Sequence, residues 1–107
     1  MLNDREKSLV QKFRVLLEQR LHVHQLTVFG SRARGDANED SDLDILVVTE
    51  EAETDENRFF VSDCAWEAGL GSGIVINSVL FSREAWENGP ERSGLLALAV
   101  QREGLAV

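Results

Sequence analysis

Two aspartates, Asp42 and Asp44, stand one residue apart at the head of the apolar run that continues Ile45-Leu46-Val47-Val48. Residues two apart share a face of a strand, so a strand opening here aims both carboxylates the same way. That face continues inward with Leu46 and Val48, while Leu43, Ile45 and Val47 line the other. The acids therefore sit at the mouth of a buried strand. A second apolar run, Leu26 to Phe29, ends in Gly30-Ser31, and ten residues separate Ser31 from Asp42. So short a link brings the end of the first strand close to the start of the second. Backbone N–H groups exposed at a Gly-Ser turn favour phosphate, particularly where a helix begins. Two carboxylates opposite them suit Mg²⁺, a hard ion that takes oxygen ligands and shares them with substrate phosphates. An anion cradle beside a cation site is the equipment of an enzyme that handles a Mg²⁺–nucleotide.

The elements that must hold these groups follow from periodicity. Asp4 to about Arg20 carries Leu9, Val10, Phe13, Leu16, Leu17 and Leu21 at spacings of three and four, an amphipathic helix with Asn3 or Asp4 as N-cap. His22 and His24 fall in the turn after it, and Leu26–Phe29 and Asp42–Thr49 are the first two strands. Between the strands, Asp36, Glu39 and Asp40 read as a solvated loop. Asn57 to about Leu70 suits a second helix, its apolar residues being Phe59, Phe60, Val61, Cys64, Ala65, Trp66 and Leu70. Cys64 has no basic neighbour to lower its pKa and reads as a buried structural thiol.

Gly69, Gly71 and Gly73 form a turn before a third strand, Ile74 to Phe81. Ser82 caps a short helix carrying Trp86, a core or lid residue, and Asn88-Gly89-Pro90 stops it. Arg92 to Glu103 is the last helix, with Gly104 as its stop. The order α-β-β-α-β-α-α describes an α/β or α+β domain: a small mixed sheet of three to four strands, with helices packed on one side.

The length of 107 residues bounds this to a single domain, residues 1–107. No apolar run approaches the roughly 20 residues needed to cross a membrane. The charged N-terminus lacks the apolar core of a signal peptide, and a lone cysteine excludes an internal disulfide; both point to the cytoplasm. A net charge of −8 argues against coating nucleic acid, which rests on Lys and Arg. It fits a small substrate reached through metal, or a basic protein partner. A homo-oligomer is left open.

Gly30-Ser31, ten residues, then Asp42-Leu43-Asp44 resembles the signature of the polymerase-β-like nucleotidyltransferase superfamily, in its minimal nucleotidyltransferase branch. The wording Phe29-Gly30-Ser31-Arg32-Ala33-Arg34-Gly35 carries it, and the likeness extends through Phe81-Ser82-Arg83-Glu84-Ala85-Trp86 to Arg102-Glu103-Gly104. It implies a nucleotidyltransferase fold, and transfer of a nucleoside monophosphate from Mg²⁺–NTP to an acceptor. By that resemblance Gly30 and Ser31 hold the triphosphate, and Asp42 and Asp44 are the catalytic pair that binds Mg²⁺. Arg34 either reaches a phosphate or bridges to Asp36, Asp40 or Asp44; the two readings stand level. Arg32 is expected to face solvent.

Family members supply a third carboxylate from the next core strand. Here Ile74 to Phe81 contains no acid, and the matching position is Asn77 or Ser78. Minimal members recognised as antitoxins AMPylate a HEPN-domain ribonuclease toxin, which implies ATP as substrate and such a toxin as partner. The competing expectation is a binding module of this fold that neutralises a toxin by stoichiometric contact.

Overall fold

The computed structural model describes residues 1–107. Helix α1 spans Asp4–Glu18 and starts at a capping box. The Asn3 side chain accepts from the Glu6 N–H at 2.8 Å, and the Glu6 carboxylate accepts from the Asn3 N–H at 2.9 Å. Strand β1 (Val23–Phe29) leads through the short helix α2 (Ser31–Arg34) to β2 (Leu43–Thr49). Helix α3 (Asp55–Gly69), capped by Thr54, carries the chain to β3 (Ile76–Ser82). Then come α4 (Arg83–Asn88), a 3₁₀ turn (Pro90–Ser93), α5 (Leu95–Glu103) and the two-residue strand β4 (Leu105–Ala106).

The four strands lie in the order β3-β2-β1-β4. β1 is antiparallel to β2 and to β4, while β2 and β3 are parallel. A parallel pair needs a long crossover, and α3 supplies it. The mixed sheet is the expected one, completed by β4, which is too short to show as a pattern. Leu26 and Val28 of β1 and Leu43, Ile45 and Val47 of β2 face one way and join Phe13, Leu17, Val61 and Ala65 of the helices in the core. No helix is long and apolar enough to cross a membrane.

The other face is also closed, so the helices do not stop at one side. Leu46 and Val48 are fully buried there. Phe81, paired with Val48, packs on Trp86 with ring centroids 5.2 Å apart. Gly104 lies so close to Thr27 that a Cβ on it would come within 2.7 Å of the Thr27 Cγ2. The segment from α4 to Gly104 thus covers what α1 and α3 leave bare.

Several boundaries differ from the sequence reading. β1 begins at Val23, so His24 lies in the strand and not in a turn. A register irregularity between Val23 and Gln25 admits this polar start, and the Glu50 N–H donating to the His22 carbonyl at 2.9 Å extends the ladder. β3 begins at Ile76, and Gly94 divides the last helix into the 3₁₀ turn and α5.

Along α3 and its C-cap Leu70 the apolar residues divide between two faces. Val61, Cys64, Ala65 and Ala68 point inward, whereas Phe59, Trp66 and Leu70 are 71%, 72% and 55% exposed. Burial, with Glu67 and Asp63 nearby, pushes the Cys64 thiol up to about 11, as an inert structural cysteine requires.

Candidate active site

Phe29 at the end of β1 lies opposite Asp44 in the antiparallel register, so Gly30 follows directly beside that carboxylate. Gly30 has φ +79°, a conformation that favours glycine. A Cβ on it would collide with the Asp44 Oδ2, so only a glycine lets the turn and the acid approach this closely. Ser31 then opens α2, whose first backbone bond runs from the Arg34 N–H to the Gly30 carbonyl at 3.0 Å. The N–H groups ahead of Arg34 have no partner inside so short a helix. Gly35, at φ +84°, ends it.

Asp44 continues its face with Leu46 and Val48, as the alternation requires. Its Oδ1 accepts from the Asn77 Nδ2 at 3.0 Å. Asp42 lies one residue outside β2 and is exposed, while the Leu43 N–H next to it donates to the Val75 carbonyl at 2.9 Å. The register also decides between the two candidates for the third position. Asn77 pairs with Asp44 and shares its face, whereas Ser78 pairs with Ile45 and turns to the core side. An amide therefore occupies the place beside Asp44, and no cluster of three His, Cys, Asp or Glu residues is present to hold a metal.

The two arginines of α2 overturn one expectation and extend another. Arg32 does not face solvent; it is 7% exposed. Its Nη1 pairs with the Glu6 Oε2 at 3.1 Å, its Nε donates to the Ser41 carbonyl at 2.9 Å, and its Nη2 donates to the Glu39 carbonyl at 3.3 Å. A loop arginine gives no local sign of burial, because its partner Glu6 comes from another helix. Glu6 is missed for the same reason: the residues around it do not announce a pairing with Arg32. Arg34 is half-exposed and makes the loop bridge to Asp36, Nε to Oδ2 at 3.1 Å. It adds an unforeseen bond from Nη1 to the Glu103 Oε2 of α5 at 2.7 Å. Glu103 first and Asp36 second raise the Arg34 pKa.

What the arrangement offers is a glycine turn pressed against a carboxylate, a second acid at the rim and a guanidinium on exchangeable partners. Known proteins are similar to this chain. A protein of Methanocaldococcus jannaschii, named provisionally as a protein adenylyltransferase, is 39% identical over 62 residues, which is 58% of this chain and 57% of that protein. The protein adenylyltransferase MntA of Thermococcus cleftensis is 47% identical over 45 residues, covering 42% of this chain and 46% of that protein. The chain thus spans about half the length of the curated relatives it matches.

Among solved structures, a toxin–antitoxin crystal structure with AMP-PNP superposes at a TM-score of 0.63 with 18% identity, over 94% of this chain and 70% of that one. A complex of a tri-AMPylated Shewanella oneidensis HEPN toxin with its MNT antitoxin gives 0.56 with 15% identity, over 95% and 70%. At such identities the likeness is one of fold. A model of the family described as nucleotidyltransferase domain matches residues 10–92, the stretch from mid-α1 through the 3₁₀ turn. The chain belongs to the nucleotidyltransferase-domain family.

Proposed function

We propose that this protein is a Mg²⁺-dependent nucleotidyltransferase that moves AMP from ATP onto a protein acceptor with release of pyrophosphate, the acceptor being a HEPN-type ribonuclease toxin that it thereby neutralises. The observation that carries the reading is the contact of the Gly30 turn with the Asp44 carboxylate. In this reading the turn is the phosphate-binding backbone and Asp44 the metal-binding acid, held side by side. The relatives named as protein adenylyltransferases support the reaction class, and the toxin–antitoxin complexes of like fold support the kind of partner. A cytoplasmic setting fits the single free cysteine.

The donor set suits magnesium: carboxylate oxygens of Asp42 and Asp44, with room in the coordination shell for water and phosphate oxygens. Bound there, Mg²⁺ supplies positive charge against the phosphates and orients them. Gly30 and Ser31 grip the triphosphate through backbone N–H and the serine hydroxyl. Arg34 exchanges its exposed partners for a phosphate oxygen, a bond its planar fork favours. Asn77 orients Asp44 by donating to its Oδ1 and cannot itself take a proton. Losing a general base costs about 10²–10⁴-fold, so the reaction is slow but not abolished.

The test is to incubate the protein with Mg²⁺, labelled NTPs and the protein encoded by the neighbouring gene, then weigh that neighbour by intact-mass spectrometry. A gain of one AMP or several supports the reading; no gain with any NTP overturns it. Asn77 in the third position favours one alternative, neutralisation by stoichiometric contact. Replacing Asp42 and Asp44 together by Asn separates the two. Neutralisation that survives requires only binding, and neutralisation that collapses while the complex still forms requires chemistry.

A further inference from the structure

β3 is the outermost strand on its side of the sheet. The Val75 carbonyl accepts from Leu43, so by alternation Asn77, Val79 and Phe81 turn their backbone to β2, while Ile76, Ser78 and Leu80 turn theirs outward. Natural sheets blunt such edges with proline, lysine or a bulge, and Ile76–Ser82 has none of these. Alongside runs an open groove of about 570 Å³ walled by Trp66, Leu70 and Val75, which are 72%, 55% and 64% exposed. The groove reaches Asn77, whose amide touches Asp44. The apolar edge and the candidate active site are therefore continuous.

We propose that an extended segment of the acceptor protein adds to β3 as a fifth strand, covering Trp66, Leu70 and Val75. Residues directly across neighbouring strands share a face. The guest residue opposite Asn77 therefore extends the row Asp44–Asn77 on the face of Asp44; where it is Ser, Thr or Tyr, its hydroxyl oxygen bonds the α-phosphorus of ATP as pyrophosphate leaves and the proton passes to solvent. Main-chain bonds along the edge supply affinity, and alternate side chains supply specificity. Charge selects the occupant. The chain carries −8, and the exposed Asp63 and Glu67 flank Trp66 on α3. A second copy would set these acids against their equals, whereas a segment alternating apolar and basic residues is attracted.

The inference rests on the protein-nucleotidyltransferase reading, so its test measures docking apart from transfer. Trp66→Lys and Val75→Lys alter exposed side chains outside the nucleotide site. Each variant is compared with the unaltered protein for Mg²⁺–ATP affinity, for complex formation with the protein encoded by the neighbouring gene, and for mass gain of that neighbour. The expected result is ATP affinity within about twofold, which also reports correct folding, with a complex at least about tenfold weaker and transfer reduced in step. Undiminished binding in both variants overturns docking at this edge, as does failure of the unaltered protein to bind the neighbour. A homodimer that Trp66→Lys dissolves also overturns it, by assigning the face to a second copy. If Trp66-dependent binding occurs and no mass is gained, docking stands and the transferase reading falls.

Discussion

Arg32 and Arg34 leave the same short helix two positions apart and meet opposite surroundings. The Arg32 side chain and its Glu6 partner are each 6% exposed, and its fork ties α1, α2 and the residues just before Asp42 into one block. The Arg34 side chain is 48% exposed and leans on Asp36 and Glu103 at the surface. A guanidinium offers five donors in a fixed plane. Buried among carbonyls, it is a strut that sets how the Gly30 turn meets β2. In water, the same group holds weak and replaceable partners. What differs is solvent access, and with it one residue is fixed as internal support while the other stays free to exchange partners.

The contrast breaks most visibly on removal of the strut. Arg32→Ala leaves Glu6 buried without its countercharge, and the expected loss is about 3–5 kcal/mol of unfolding free energy, read by urea or thermal denaturation. A loss no larger than that of Arg34→Ala would dissolve the distinction. Gly30→Ala tests the contact the strut maintains. The positive-φ extended backbone at Gly30, essentially reserved for glycine, costs any other residue about 1–3 kcal/mol, and the new methyl displaces Asp44, so Mg²⁺–ATP binding measured by calorimetry should be lost. Retained binding would show that turn and acid need not touch.

Arg34→Ala sharpens the other side of the comparison. Its stability change should stay below about 1 kcal/mol, while ATP affinity falls about tenfold for one lost charge-assisted bond. Unaltered affinity would reduce Arg34 to a loop brace. The smallest effect belongs to a second exposed pair, His22 with Glu51, whose ring Nδ1 and Oε2 lie 2.6 Å apart. The hydrogen bond to Glu51 raises the His22 pKa, so its stabilisation is present below about 6.5 and fades as pH climbs through the raised value. Burial alone would raise Glu51, but the His22 side chain and N–H outweigh it and lower the pKa. That share is present above about 4.5 and fades as pH drops through the lowered value. The melting temperature should pass through a shallow maximum between these limits, and His22→Asn should flatten it.

Local pattern made half of this legible in advance. The alternation from Leu43 to Val48 placed Asp44 beside the core, and the glycine turn placed Gly30 near it, because both follow from a few consecutive residues. What escaped depended on distant partners. Arg32 is buried by Glu6, 26 positions earlier in the chain. The choice of Asn77 over Ser78 needs the register of β3 on β2, which residue types do not encode. Trp66 counted as an apolar helix residue, yet composition does not say which face of a helix finds a partner. β4 exists only because β1 offers it an edge.

That last strand has a mechanical consequence. Leu105 and Ala106 zip onto Val28 and Thr27, just short of the Gly30 turn, and the Val107 N–H latches onto the Leu26 carbonyl at 3.0 Å. Immediately upstream sits Glu103, one of the two carboxylates holding Arg34. Whatever peels β4 away also loosens the Glu103 hold on Arg34, so this short strand acts as a remote handle on a cation beside the Gly30 turn.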